Sequence, residues 1–131
     1  MGRFIVGNPE EALEAVTSPE EVAAMQRERA QIHIAEAVRD YIARIVHATR
    51  KDSRIAYGSS PRGSLSLMRA SQALAAIRGR DYVLPDDIRE LVIPVLGHRI
   101  ILDSREALRG GDAPSILKDI LAGLRVQPEL P

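Results

Sequence analysis

The sequence lacks cysteine and tryptophan altogether and contains a single phenylalanine. Without cysteine, disulfides, zinc–cysteine sites, iron–sulfur clusters and thiol nucleophiles are all excluded. No apolar run approaches the roughly 18 residues of a membrane-spanning helix, and the N-terminus carries no signal-peptide stretch. An excess of either charge is also missing, because 18 basic residues face 18 acidic ones. This balance argues against a dedicated binder of nucleic acid or anionic membrane. We therefore expect a soluble, cytoplasmic protein.

The 131 residues are 45% hydrophobic and 27% charged, which suits one globular domain with a core. Eight prolines are many for a chain that otherwise has a helical period, but most of them stand at helix starts. Ser18-Pro19-Glu20-Glu21 predicts a capping box, in which Glu21 reaches back to the Ser18 amide. Similar starts are predicted at Asn8-Pro9-Glu10-Glu11, Leu84-Pro85-Asp86-Asp87 and Asp112-Ala113-Pro114. The acid pairs Glu10-Glu11, Glu20-Glu21 and Asp86-Asp87 are explained by the positive end of the helix dipole.

Apolar residues recur at helical spacing through most of the chain, which predicts an all-α fold, a small bundle of about five helices. One stripe consists of Ala35, Val38, Ile42, Ile45, Val46 and Thr49. The stretch from Ser64 to Arg78 is apolar nearly all round, so we expect it to be the central helix. Val22 and Met25 are expected to anchor a shorter helix, and Pro94 is expected to kink or end another near Ile93.

Strand signals are few, so we expect at most a minor, short two-stranded element. Ile32-His33-Ile34 and Tyr82-Val83-Leu84 are extended candidates that could pair. Phe4-Ile5-Val6 is similar to a strand whose sheet lies elsewhere. Residues 126–131 are predicted to form a C-terminal tail.

Most residues that carry chemistry are absent or badly placed for it. There is no G-x-x-x-x-G-K-[ST] phosphate loop and no G-x-S-x-G nucleophile elbow. The three histidines, His33, His47 and His98, are not at metal-ligand spacing, so no metal site is predicted. Arg50-Lys51 is interpreted as a solvated helix end, where cations suit the dipole. A complete active site is therefore not expected in this sequence.

One helix start departs from the acidic pattern of the others. In Ser60-Pro61-Arg62-Gly63 a basic residue takes the second helical position, where it costs about 0.3–1 kcal/mol. Arg62, Ser66 and Arg69 then form a polar stripe at i, i+4 and i+7. An arginine beside exposed helix amides, with a glycine allowing close approach, suits an anion such as phosphate. The alternative is that Arg62 points into water or pairs with a nearby acid, and spacing alone leaves both open.

The stretch Tyr57-Gly58-Ser59-Ser60-Pro61-Arg62-Gly63-Ser64-Leu65-Ser66-Leu67-Met68-Arg69-Ala70 resembles the C-terminal lid of MoxR-family AAA+ ATPases. The resemblance continues from Ala73 to Ile88, through the segment Arg78-Gly79-Arg80-Asp81-Tyr82-Val83. It also includes Asp40-Tyr41-Ile42, Ala48-Thr49-Arg50 and Pro94 to Ile100, with the pair His98-Arg99. Gly63, where the family often has alanine, and Leu84, where it often has threonine, depart from the pattern.

The resemblance implies a division of the chain. Residues 1–8 would be the end of the ATPase core, residues 9–125 the helical lid and residues 126–131 a tail. The chain would be a lid excised from a longer ATPase, lacking the phosphate loop and neither hydrolysing ATP nor binding it tightly by itself.

The resemblance also implies a function for the intact protein and roles for four residues. Arg62 would be the sensor 2 arginine, with a catalytic role at the ATP phosphates, and Ser60, Gly63 and Arg69 would lie with it at the nucleotide. ATP with Mg would be the cofactor. The intact protein would be a homo-oligomeric ring with chaperone-like remodelling or assembly activity, with von Willebrand factor A-domain proteins as possible partners. His98 and Arg99 would make either subunit or core contacts, or serve a purely structural role.

A helical DNA-binding or histone-like interaction module is the alternative function. It rests on the short turn Gly79-Arg80-Asp81-Tyr82 between two predicted helices and on the arginines near it. The zero net charge and the absence of a basic helix face weigh against it. We therefore expect no nucleic acid and no membrane among the partners.

Overall fold

The structure is a computed structural model that describes residues 13–126. The predicted strand Phe4–Val6, the helix start at Asn8-Pro9, the segment 1–8 and residues 127–131 of the predicted tail lie outside this range. Residues 13–18 are not helical, so a helix that starts at Pro9 does not extend into them. No helix within the described range is both long enough and apolar enough to span a bilayer.

Six α-helices and a two-stranded sheet make up the described part of the chain, which confirms the all-α bundle with a minor sheet. In chain order the elements are α1 (Pro19–Gln31), α2 (Glu36–Lys51), β1 (Ile55–Tyr57), α3 (Pro61–Ile77), α4 (Pro85–Leu96), β2 (Ile101–Leu102), α5 (Ser104–Leu108) and α6 (Ala113–Gly123). A short 3-10 helix, Gly97–Arg99, links α4 to β2.

The core lies between α2, α3, α4 and α6. The central helix is α4, which packs against the other three, rather than α3 as the sequence predicts, because α3 buries only the apolar side chains Leu67 and Ala75. The stripe on α2 is confirmed, because Val38, Ile42, Ile45, Val46 and Thr49 are all buried. Tyr41 also is fully buried, which the stripe did not include, and its hydroxyl accepts a hydrogen bond from Arg89 at 3.1 Å. The all-round apolar character of α3 is only partly used for packing, since Leu65 and Ile77 are exposed.

The pairing predicted for the two extended candidates is confirmed only as a bridge, and the two-stranded sheet forms elsewhere. The segments around His33 and Tyr82 meet only in an isolated parallel bridge, in which Val83 donates its N–H to the His33 carbonyl at 3.0 Å. The actual sheet pairs β1 with β2 in antiparallel fashion, in the register Ile55 opposite Leu102. It joins the link after α2 to the link after α4, and Asp103 extends the pairing by donating to the Arg54 carbonyl at 2.8 Å.

The predicted helix starts at Pro19, Pro61, Pro85 and Ala113 are confirmed. Ser18 and Glu21 form the expected capping box, and the Asp112 side chain accepts from Ser115 N–H. Pro94 does not end α4 near Ile93, because the helix continues to Leu96. Only two helical residues follow Pro94. The one backbone hydrogen bond that its missing N–H removes therefore lies in the last turns of the helix.

Helix α1 forms as predicted, but Val22 and Met25 do not anchor it. Both side chains are exposed, and none of the residues of α1 is buried. The helix is fastened to α3 by a hydrogen bond from Arg29 Nη1 to Gln72 Oε1 of 2.9 Å. Gln72 in turn donates to the Ile32 carbonyl at the end of α1, again at 2.9 Å.

Candidate functional site

Arg62 stands in the first turn of α3, which begins at Pro61 directly after an extended Ser60. No acidic residue shares that turn, whereas the first turns of α1 and α4 each carry two. The Arg62 side chain is exposed, and no hydrogen bond or ion pair joins it to any residue from 13 to 126. Pairing with a nearby acid, one form of the alternative interpretation, is therefore not found within the part of the chain that the structure describes.

The other three predicted site residues occupy different surroundings. Ser60 is exposed, and its side chain makes no capping hydrogen bond, so its hydroxyl is not used by the helix start. Arg69 is exposed two turns further along and forms no ion pair within the described residues. Between them, Ser66 donates its hydroxyl to the Arg62 carbonyl at 3.0 Å, which leaves the stripe with two exposed arginines.

Gly63 does not lie on the exposed side of the helix start. It is buried, and a Cβ at this position would collide with the Ser59 hydroxyl and come within 3.2 Å of Leu96 Cδ2. The absence of a side chain here is explained by packing between the loop and α4. Where an anion would approach α3, the exposed Ser60 and Arg62 are the accessible groups.

The loop that leads into α3 is held by the last turn of α2. Ser59 donates its N–H to Thr49 Oγ1 at 3.0 Å, and its carbonyl accepts from Arg50 Nε at 2.8 Å. Arg50 and Lys51 are exposed in the last turn of α2, as expected for a solvated helix end, but the Arg50 side chain also binds the loop before Arg62. Gly58 has an ordinary backbone conformation, and its glycine identity is explained by close approach: an added Cβ would lie 2.6 Å from the Thr49 carbonyl oxygen.

A shallow groove of about 390 Å³ runs between α2 and the start of α3. Its lining residues are Ala43, Arg44, Val46, His47, Arg50, Pro61 and Ser64. Two arginines and a histidine line it without any carboxylate, so the groove favours anions. Arg44 and His47 were not predicted from the sequence to neighbour this helix start. Their spacing on α2 could have placed them on one face, but the contact between α2 and the start of α3 is tertiary.

His33, His98 and Arg99 do not line this groove. His98 and Arg99 are exposed in the 3-10 helix, and Arg99 Nε donates to the Val95 carbonyl at 2.9 Å. His33 and His47 are exposed as well. Within residues 13–126, no three His, Asp or Glu side chains are grouped so that they could hold a metal ion.

Comparison with known proteins identifies the family to which this chain is similar. The profile of the AAA lid domain family matches residues 47–120. The uncharacterized protein YeaC of Bacillus subtilis is 38% identical over 119 residues, which cover 91% of this chain and 37% of YeaC. Chaperone MoxR1 of Mycobacterium tuberculosis is 36% identical over 111 residues, covering 78% of this chain and 29% of MoxR1.

A solved structure agrees with these sequence relatives. The crystal structure of a protein assigned as an ATPase, from Cytophaga hutchinsonii, superimposes with a TM-score of 0.79 at 32% identity. The match covers 83% of this chain and 36% of the other. The chain thus spans only 37% of YeaC and 29% of MoxR1. Taken with the helical fold and the Ser60-Pro61-Arg62 helix start, these matches show that the chain belongs to the AAA lid domain family, as the C-terminal lid of a MoxR-type AAA+ ATPase.

Proposed function

We propose that this lid packs over ATP bound to the ATPase core and that Arg62 contacts the phosphates. The observation that carries the proposal is an exposed arginine in the first turn of α3, without a partner in residues 13–126, beside a groove with no acidic lining. An arginine at a helix N-terminus is electrostatically unfavourable unless an anion binds there. Stabilising the charge of a transferring phosphoryl group is a recurrent task of arginines in nucleotide hydrolysis.

The residues at this end of α3 fit a phosphate ligand better than a metal. They offer the Arg62 guanidinium and the unused Ser60 hydroxyl as hydrogen-bond donors. The first-turn amides add little, because Pro61 has no N–H and Gly63 donates its own to the Ser60 carbonyl at 2.8 Å. Arg69 would lie further along the same helix, while Gly63, whose N–H donates to the Ser60 carbonyl, would contribute only by letting the loop and α4 pack closely at the helix start. Mg would accompany the nucleotide and neutralise phosphate charge when bound. The ATPase core of the longer protein would supply the phosphate loop and the metal ligands.

The wider functions follow the family resemblance and are proposed with it. Residues 9–125 would be the lid, joined at residues 1–8 to the core and followed by a tail at 126–131. The intact protein would form a homo-oligomeric ring that couples ATP hydrolysis to remodelling or assembly of other proteins, von Willebrand factor A-domain proteins among them. A relative named as a chaperone supports this direction. The comparisons give no support to the DNA-binding alternative.

The test is Arg62→Ala in the protein that joins this lid to its ATPase core. We expect kcat for ATP hydrolysis to fall at least about tenfold, since removing one donor to a transition-state oxyanion costs roughly 10²–10³ in other enzymes. Arg27→Ala, which removes an exposed arginine from α1, is the matched control and should leave kcat unchanged. Full ATPase activity in the Arg62→Ala protein would refute the proposal.

A further inference from the structure

Thr49, in the last turn of α2, holds the backbone N–H of Ser59. The Thr49 side chain is fully buried, donates its hydroxyl to the Val46 carbonyl at 2.7 Å and accepts from Ser59 N–H at 3.0 Å. Ser59 is fully buried as well. A buried N–H without a partner costs about 1–3 kcal/mol, so this hydrogen bond fixes where the Ser59 peptide can lie.

Arg50 holds the other polar group of the same residue. Its Nε donates to the Ser59 carbonyl at 2.8 Å, so two adjacent residues of α2 bind both the N–H and the C=O of Ser59. Gly58 completes the attachment, because only a residue without Cβ can lie so close to the Thr49 backbone. The attachment point is three residues before Arg62 along the chain.

The start of α3 has little else to fix it on the side of this loop. Ser60 makes no side-chain cap, and the Arg62 side chain is held by nothing within residues 13–126. The position of the first turn therefore depends on how the Gly58–Ser60 loop is tied to α2, together with the packing of Gly63 against Ser59 and Leu96.

We infer that Thr49 and Arg50 are positioning residues for Arg62: they tie the loop to α2 so that the arginine is held where it meets the phosphates. This inference rests on the proposed function of Arg62. Thr49 acts through the backbone of Ser59, because it is fully buried and has no access to a nucleotide. Arg50 binds the same backbone but also lines the groove beside Arg62, so Thr49 gives the cleaner test. Any effect of a Thr49 substitution on turnover is therefore transmitted through the loop. A shift of about 1 Å at a positioning group can cost up to about 10² in rate.

The experiment measures kcat and KM for ATP in the protein that joins this lid to its ATPase core. The test variants are Thr49→Val, which keeps the side-chain shape without the hydroxyl, and Arg50→Ala. Thr49→Ser keeps the hydroxyl and should rescue. Arg39→Ala is the matched control, because Arg39 Nε donates to the Ile34 carbonyl at 3.1 Å at the other end of α2. Each substitution is also made in the Arg62→Ala background.

We expect Thr49→Val and Arg50→Ala to lower kcat about tenfold or more, and Thr49→Ser and Arg39→Ala to change it less than about threefold. In the Arg62→Ala background the two test substitutions should change kcat less than about twofold, because residues that act as one unit are not additive. A melting temperature is measured for every variant. Where Thr49→Val fails to fold, Arg50→Ala carries the test, since its side chain is exposed.

Three results would overturn the inference without touching the proposed function. The test variants could behave like Arg39→Ala while Arg62→Ala loses activity. Their losses could be undiminished in the Arg62→Ala background, which indicates a general structural effect. Thr49→Ser could be as impaired as Thr49→Val. Full activity of Arg62→Ala itself would instead refute the proposed function.

Discussion

Arg80 holds the buried carboxylate of Asp87 with both terminal nitrogens of its guanidinium, Nη1 to Oδ2 at 2.9 Å and Nη2 to Oδ1 at 2.6 Å. The same carboxylate accepts from Arg78 Nη1 at 2.9 Å and from the backbone N–H of Leu84 at 2.8 Å. One side chain in the first turn of α4 thus ties together the end of α3, the turn and the start of α4. It makes the half of a capping box that binds the Leu84 N–H, while Leu84 has no side-chain acceptor for the other half.

Removing this carboxylate should destabilise the lid substantially. We expect Asp87→Ala to lower the free energy of unfolding by roughly 2–3 kcal/mol, because it removes a helix cap and charge-assisted hydrogen bonds from a side chain that is 1% exposed. The control is Asp86→Ala, an exposed acid in the same turn, which should cost less than about 1 kcal/mol. Urea unfolding measures both. Equal effects of the two substitutions would contradict the role given to Asp87.

The same carboxylate should make stability depend on pH. Burial by itself would raise the pKa of Asp87, but hydrogen bonds from Arg80 and from Leu84 N–H outweigh it and hold the pKa below its usual value. A carboxyl with a lowered folded-state pKa stabilises the fold above its unfolded pKa of about 3.9, and that stability is lost as the pH falls through the folded value. We expect the difference in unfolding free energy between the wild type and Asp87→Asn to be constant near neutral pH and to shrink below about pH 4. A difference in unfolding free energy that grows as the pH falls would contradict a lowered pKa for Asp87.

Gly63 and Ser59 should be energetically coupled. A Cβ at position 63 would occupy the space of the Ser59 hydroxyl, while the Ser59 Cβ itself would be 3.4 Å away, an ordinary contact. Gly63→Ala alone should therefore destabilise by about 1–3 kcal/mol through overpacking. Adding Ser59→Ala should recover most of that loss, since alanine also favours the helix. A double-mutant cycle by thermal unfolding gives the coupling, and simple additivity of the two changes would show that they do not share this space.

Leu67 and Leu65 offer a matched test of which face of α3 is in the core. Leu67 is fully buried and Leu65 is 51% exposed, although they are two residues apart on one helix. We expect Leu67→Ala to cost about 2–5 kcal/mol and Leu65→Ala less than about 1 kcal/mol. Denaturant titration of the two single variants decides it. A larger loss of stability in Leu65→Ala than in Leu67→Ala would contradict the assignment of the Leu67 face of α3 to the core.

Local signals predicted the helices of this lid well because caps and prolines act within one turn. Ser18 and Asp112 cap where the pattern placed them, and Pro61 and Pro85 each open a helix. The sheet was misplaced because β1 and β2 are short and far apart in sequence, and their pairing depends on how α2 and α4 meet. Helical spacing alone also could not show that Val22 and Met25 face away from the core.

For the candidate site, the sequence and the structure contribute different parts. The unusual basic start at Arg62 is visible in the sequence, because it breaks a rule that neighbouring helix starts obey. The interactions that fix this start are not, since Thr49 and Arg50 reach Ser59 across a loop. Asp87 shows the same limit. From the sequence, its position in a first helical turn is enough to explain an acidic residue, and only the fold brings Arg78 and Arg80 onto its carboxylate.

Helix α1 buries none of its side chains. We therefore expect α1 to open separately from the rest of the lid, at a lower free energy than global unfolding. Detaching α1 exposes little apolar surface beyond what is already in water, so its opening should cost only a fraction of the global unfolding free energy. Amide hydrogens of residues 19–31 would then exchange through sub-global opening, while those of α2 and α3 would exchange only when the whole core unfolds. Opening of α1 should therefore leave α3, the helix that carries Arg62, folded.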